Sequence, residues 1–340
     1  MRRTPLTLSA LALAACLTLA GCGQASEPEA ASSTTATPAA PPTDVDCSTV
    51  TVDTDATTLP TLSGADGQEP TVSWGGGQAP ENLTVKTLTE GSGPQIGDDG
   101  IVVVNYAGWQ WDSSQTFDSS WGRGAPLSFS LKGVIPGWTC GLAGARVGDR
   151  VLMSIPGELA YGEQAAGEEA AAPQGQQQVP QQGPPKGDLV FVVDVLGGGS
   201  PEEIAAGTKD AVMEGEAALA ERGVSVSGNL GEAATLTIEE GAAEPTEYEV
   251  IVLARGSGAP LEIGSQFLAH TAGSPWEGGQ ASQPFSSWDQ NTPQVVVVDE
   301  QQLKGLVGVP AGSRVVVLVP KDESTGMPAS AVVMDIEQVL

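Results

Sequence analysis

Few side chains in this 340-residue chain could do chemistry, and their types narrow what that chemistry is. There is one histidine, His270, and no nucleophile pattern stands near it, so nothing marks it as a catalytic base. Outside the N-terminal segment there are two cysteines, Cys47 and Cys140, too far apart in sequence to form a ligand cluster with that histidine; neither a metal nor a cofactor is expected. What remains are aromatic and charged side chains along the chain, Tyr106, Phe117, Asp118, Arg123, Trp138, Tyr161 and Phe191 among them. Taken singly they are unremarkable: the aromatics could be plain core, Asp118 a turn cap ahead of Ser119 and Ser120, and Arg123 a surface charge. They amount to a site only if the fold brings them together.

The composition says what kind of fold must do that. The chain is 40% hydrophobic, with 44 Gly and 25 Pro, which favours turns and short strands over long helices. Short Val-rich runs bounded by Gly, Pro or Asp read as strands at Ile101–Val104, Val151–Ile155, Leu189–Leu196, Val295–Val298, Val315–Val319 and Ala331–Ile336. One short helical stretch falls around Trp138–Ala143 and another around Gln302–Val307, while Pro201–Arg222, with its acidic start, reads as a connecting helix. Residues Gln164–Gly183 are Ala, Gln, Glu, Gly and Pro without an apolar pattern and read as a mobile loop. Acidic residues outnumber basic ones 42 to 14, a formal net charge of −28. Nucleic acid and anionic lipid surfaces would repel such a chain, so no nucleic-acid partner is expected and the acidity serves solubility and self-repulsion outside the cytoplasm.

Residues 1–21 form a basic start followed by an apolar run too short to span a membrane comfortably, as in a signal peptide. The run ends in Leu19-Ala20-Gly21-Cys22, which resembles the bacterial lipobox and marks Cys22 for lipidation. Residues 22–44 lack large apolar side chains and read as a disordered tether. In an oxidising compartment, Cys47 and Cys140 suggest a disulfide, the alternative being two unpaired buried thiols. Length allows two further domains, and self-comparison supplies them. At an offset of about 164, Val85–Gly93 lies over Val250–Gly258, Gly141–Gly144 over Gly305–Gly308, and Val151–Pro156 over Val315–Pro320. The expected boundaries are 45–198 and 224–340, joined by a linker helix over 199–223.

Seven strings in the first of these domains occur in a telling order: NYAG (105–108), FDSSWGRG (117–124), VIPGW (134–138), GLAG (141–144), VGDR (147–150), IP…LAYG (155–162) and LVFVVDVL (189–196). The stretch from about 83 to 196 thereby resembles the FKBP-type peptidyl-prolyl isomerases. That resemblance implies an α+β fold, each copy a curved antiparallel β-sheet wrapped around one short helix. It makes Tyr106, Phe117, Arg123, Leu127, Val134 and Phe191 substrate-binding residues, and Asp118, Ile135, Trp138 and Tyr161 catalytic ones. Trp138 is the implied floor beneath the proline ring, the Ile135 backbone N–H and the Tyr161 hydroxyl reach ligand carbonyls, and Asp118 is a buried acceptor near Arg123 and Tyr106. Two departures stand out. Leu127 occupies a position that is usually aromatic, and the Gln/Ala-rich insertion replaces the stretch after Tyr161 that normally covers the pocket.

The second copy keeps the scaffold and loses the site. Phe285-Ser286-Ser287-Trp288 stands for FDSSW without its Asp, His270-Thr271 falls near the Tyr106 position, and Gln302 takes the place of Trp138. The expectation is a monomeric, lipid-anchored envelope protein whose first domain isomerises X-Pro bonds in exported proteins. The alternative is a non-catalytic peptide- or protein-binding envelope lipoprotein.

Overall fold

A computed structural model describes residues 45–162, 184–276 and 285–340. Residues 1–44, including Cys22 and the tether, and the Gln164–Gly183 loop lie outside the described residues. Strands β1 (Val52–Asp53), β2 (Thr61–Ser63), β3 (Thr71–Ser73), β4 (Leu83–Thr89), β5 (Ile101–Gln110), β6 (Thr116–Ser119) and β7 (Leu127–Ser130) precede helix α1 (Pro136–Leu142), β8 (Arg150–Ile155) and β9 (Leu189–Gly199). All but β2 and β3, which pair with each other as a separate hairpin, build a seven-stranded sheet in the order β1-β4-β8-β9-β5-β6, with β7 also on β5; every pairing is antiparallel except the short β1 edge. Strand β5 pairs β7 through its first half and β6 through its second, so the sheet curls around α1. Val102 and Val104 point inward from it, joining Leu83, Leu142, Met153 and Ile155 in a dry core against the helix. Pro136 opens the helix with φ preset and no N–H to satisfy. Gly137 lets it lie on β8, because a Cβ there would collide with the Ile155 side chain. The Cys47–Cys140 disulfide staples the N-terminal segment to α1. Closing a loop of 93 residues removes roughly 4–5 kcal/mol of chain entropy from the unfolded state.

The second half repeats this plan. Strands β11 (Val224–Ser227), β12 (Thr235–Ile238), β13 (Glu249–Arg255), β14 (Gln266–Pro275), β15 (Phe285–Ser286), β16 (Gln294–Val297), β17 (Arg314–Val319) and β18 (Ser330–Val339) follow the linker. Their sheet runs β13-β17-β18-β14-β15 with β16 on β14, the same order as in the first half. The linker is not the single helix the sequence suggests. Helices α2 (Pro201–Lys209) and α3 (Glu216–Glu221) flank a short strand, β10 (Val212–Met213), which adds to the edge of β13 opposite Ala254 and Arg255. A Ser200/Glu203 capping box starts α2. Gly215 then passes so close to the Val252 carbonyl that any side chain would clash, and this turns the chain onto the sheet edge. The helix expected around Gln302 shrinks to a 3₁₀ turn, Lys304–Leu306. No proline presets its start, and the Asp299 carboxylate takes the N–H groups of Gln301 and Gln302, both at 2.7 Å, holding them in a turn.

Each half carries a hairpin on the back of its sheet. Leu62 of β2 and Val72 of β3, with Trp74, cover Trp109, Leu152, Val190 and Val192; Val224 and Leu236 cover Val316, Leu318 and Val333. A buried arginine grips each hairpin. Arg150 donates to the Ala65 and Gln68 carbonyls, and Arg314 to those of Gly228 and Glu232. The two sheets also meet back to back. Ile101 and Val103, on the face of β5 opposite Val102, pack with Ile204, Leu268 and Leu340, and the Gly198 N–H donates to Gln338 Oε1 at 3.0 Å.

Candidate active site

The concave face of the first half gathers the aromatics. On β5 Tyr106 faces inward, and on β9 Phe191 stands opposite Gly108. A Cβ at Gly108 would lie 2.7 Å from the Phe191 ring and 2.8 Å from Phe117, so only glycine lets those two rings meet. Trp138, 4% exposed, rises from α1 into the middle. Its ring centroid lies 5.3 Å from Tyr106, 5.3 Å from Phe191 and 5.4 Å from Phe129, with interplanar angles of 89°, 86° and 73°. These are edge-to-face contacts, the arrangement that ring quadrupoles favour. Phe117 completes the ring with an edge contact to Phe191 at 5.6 Å. Phe129 is the member that sequence reasoning missed. The available signal was period-two alternation along β7, which puts it on the same face as the expected Leu127. Leu127 and Val134 are half-buried at the margin of the same cluster, and Ile135 is buried within it.

The polar members adjoin the ring. The Tyr106 hydroxyl donates to Asp118 Oδ2 at 2.6 Å and accepts from Arg123 Nη1 at 3.0 Å, while Arg123 Nη2 bonds Asp118 Oδ1 directly. Burial, then the Asp118 charge, pushes the Tyr106 hydroxyl well above its ordinary value, so it is held as a neutral donor. Tyr161 follows the Gly157–Leu159 turn. Although 41% of its surface is open, burial first and the Asp118 carboxylate second push its hydroxyl up to about 12. It too is a neutral donor. Ile135 precedes α1, and its carbonyl accepts the Trp138 N–H at 2.9 Å; among the described residues its own N–H has no protein acceptor. Nine of the ten expected site residues thus belong to one aromatic cluster or the hydrogen-bonded group beside it, while Tyr161 is tied to them only through the influence of the Asp118 charge.

Residues 92–196 match the family model of FKBP-type peptidyl-prolyl cis-trans isomerases. Over 108 residues the chain is 41% identical to an FK506-binding protein of Streptomyces anulatus, covering 31% of this chain and 87% of that one. The chain belongs to the FKBP-type peptidyl-prolyl cis-trans isomerase family. A probable FK506-binding protein of Corynebacterium glutamicum is 39% identical over 95 residues, 28% of this chain and 80% of that one. The FKBP-type isomerase FkpA of Escherichia coli is 40% identical over 114 residues, 34% of this chain but 37% of its own length. The matched family segment lies in the first half, and that half carries FKBP-type isomerase activity.

In the second half the same positions hold different chemistry. The ladder register puts Thr271 at the place of Tyr106, Val296 at that of Phe129 and Val332 at that of Phe191. Phe285, not a carboxylate, pairs with Gly273 as Asp118 pairs with Gly108. Among the described residues of this half no ring of aromatics forms. On the back of the sheet, however, a buried polar group appears. His270 Nδ1 meets Glu337 Oε1 at 2.8 Å, and the imidazole stacks on Trp288 at 5.3 Å and 14°. Nearby are the Asp335 carboxylate, opposite His270 across the ladder, and the Arg314 guanidinium, 5.9 Å above the Trp288 ring. Burial first, then the His270 contact in opposition and the Asp335 charge in support, leaves the Glu337 carboxyl above its ordinary 4.5. A carboxyl raised on folding contributes stability that is complete below pH 4.5 and lost as pH rises through its folded value. The second half is therefore expected to melt at a lower temperature at pH 7.5 than at pH 5, and Glu337→Gln to flatten that slope. Equal slopes in the two proteins, by calorimetry across pH 4.5–8, would refute the assignment to Glu337.

Proposed function

We propose that the first half binds a proline ring on Trp138 and speeds rotation of the preceding peptide bond without making or breaking a covalent bond. Trans is favoured over cis by only about 0.5–1 kcal/mol at X-Pro, but rotation faces about 18–20 kcal/mol because it sacrifices amide resonance. A catalyst must therefore favour the twisted amide over the planar one. The planar amide is the more dipolar form and loses more when water is stripped away, so an apolar surface built from Tyr106, Phe117, Phe129, Trp138 and Phe191 works in the required direction. The Ile135 N–H and the Tyr161 hydroxyl hold the flanking carbonyls, and the Asp118–Arg123 pair fixes the Tyr106 wall. The observation that carries the reading is the set of edge contacts converging on Trp138 beside that charged pair.

The substrates are proline-containing segments of exported proteins, reached from the membrane by a monomer anchored through Cys22 and its tether. The disulfide suits the oxidising, extracytoplasmic setting this requires. Lacking the aromatic ring, the second half, residues 224–340, serves as a client-holding or spacing domain beyond the 199–223 linker. A proline-containing peptide assay on the chain lacking residues 1–21 tests the catalytic reading. Isomerisation faster than the uncatalysed rate at micromolar protein is expected; equality of the two rates defeats it.

A further inference from the structure

Arg123 is the member of the polar group with the least of its own chain to hold it. It stands between Gly122 and Gly124, the latter at φ 76°, so the backbone on both sides is the least restricted a chain can supply. Its partner Asp118 is fixed on β6 by the ladder position opposite Gly108, but Arg123 lies beyond that strand, in the Trp121–Arg123 turn. Ser120 roots the start of this turn. Wholly buried, it gives its N–H to the Tyr106 carbonyl at 2.9 Å and takes the Tyr106 N–H on Oγ at 2.9 Å. The rest of the turn is held by Trp121. Its ring packs on the back of the sheet in the cluster that contains Ala107, Trp109, Leu62 and Val72, and its indole N–H donates to the Gly67 carbonyl at 3.2 Å. Gly67 sits in the bend between β2 and β3, which Arg150 grips through the Ala65 and Gln68 carbonyls. That hairpin precedes the 92–196 stretch that matches the family.

The second half shows the same turn without a charge to position. Ser287 exchanges the same two bonds with Thr271, at 2.9 and 2.8 Å, and Trp288 heads the equivalent turn, Trp288–Gln290. Gln290 takes the place of Arg123 there, and Phe285 that of Asp118. Trp288 lies flat on His270 at 5.3 Å, and among the described residues its indole N–H donates to no carbonyl of the β11–β12 hairpin. The anchored tryptophan and the arginine therefore occur together in one half and are replaced together in the other. We propose that Trp121 is a positioning residue for the isomerase site and that, through it, the β2–β3 hairpin is part of that site. Anchored on Gly67, the indole holds the Gly-Arg-Gly turn where Arg123 meets Asp118 and the Tyr106 hydroxyl. The proposal rests on the role given above to the Asp118–Arg123 pair. Trp121→Phe keeps a ring on the cluster and removes the donor. It is expected to lower kcat about two- to five-fold with KM little changed, and Trp121→Ala, which also gives up the packing, about ten-fold.

The test measures kcat and KM for a proline-containing peptide on the chain lacking residues 1–21, as wild type, Trp121→Phe, Arg123→Ala and the double variant, each below its melting temperature. Because Trp121 acts through Arg123, Trp121→Phe is expected to cost nothing further in the Arg123→Ala background. By NMR, the Arg123 guanidinium N–H signals are expected to be distinct in the wild type and averaged by rotation in Trp121→Phe. Wild-type kcat together with unchanged guanidinium signals in Trp121→Phe overturns the proposal. A loss of equal size with and without Arg123 overturns it too, since Trp121 would then be a general prop of the fold. Absence of turnover in the wild type removes the isomerase reading itself and this role with it.

Discussion

Replacing Asp335 with alanine is expected to destabilise the second half by about 3–5 kcal/mol while leaving peptidyl-prolyl turnover unchanged. Arg314 and Asp335 are 1% and 0% exposed in their side chains. The contact is two-pronged, with Nε to Oδ1 at 2.6 Å and Nη2 to Oδ2 at 2.8 Å. The remaining guanidinium N–H groups are directed to the Gly228 and Glu232 carbonyls, which belong to the hairpin covering the sheet. Removing the carboxylate strands a buried cation and slackens the grip on that hairpin, whereas building the pair cost two desolvations and gained little net. The first half supplies an internal comparison. Arg150 and Asp194 face each other at the same ladder position but only at 3.4–3.5 Å, so Asp194→Ala is expected to cost less. Denaturant unfolding of the two variants reads the difference directly. An Asp335→Ala protein within about 1 kcal/mol of wild type would show that the hairpin and the apolar core hold the second half without the ion pair.

What the sequence made legible follows the range of the interactions involved. The strands at Ile101–Val104, Val315–Val319 and Ala331–Ile336 are local Val-rich runs, and they form where their composition places them. The linker misled because Val212 and Met213 are drawn from helix to strand by a partner, Ala254–Arg255, some forty residues on. Phe129 is not legible as a site residue from its own string, because only the alternation along β7 sets it on the same face as Leu127 and only the fold sets that face against Trp138. The His270–Glu337 pair joins residues 67 apart whose types are unremarkable singly; only the β14–β18 register brings them together. In the active site, by contrast, the key group is spelled out in one string, since Phe117, Asp118 and Arg123 lie within a single strand and turn. The hairpins lie between these cases. The repeat offset reveals that Ser63-Gly64 and Ser227-Gly228 correspond, but not that both hairpins roof the back of a sheet.

Trp138→Ala is expected to lower kcat/KM by about 10- to 100-fold. Packing of a proline ring on the indole is comparable to burying one apolar side chain, about 1.5–3 kcal/mol, and each 1.4 kcal/mol or so is a factor of ten in rate. The variant also leaves a hole between Tyr106, Phe129 and Phe191, which costs roughly 3–5 kcal/mol of stability and admits water to the site. Instability could therefore mimic a catalytic defect, and Tyr161→Phe separates the two. Tyr161 is partly open and donates no hydrogen bond within the protein among the described residues, so its hydroxyl can be removed without loosening the core. If that hydroxyl holds a substrate carbonyl more tightly in the twisted state, Tyr161→Phe loses about 1 kcal/mol of transition-state binding, a roughly five-fold fall in kcat at unchanged melting temperature. Both variants turning over at the wild-type rate would mean that the substrate's proline rests somewhere other than on this tryptophan.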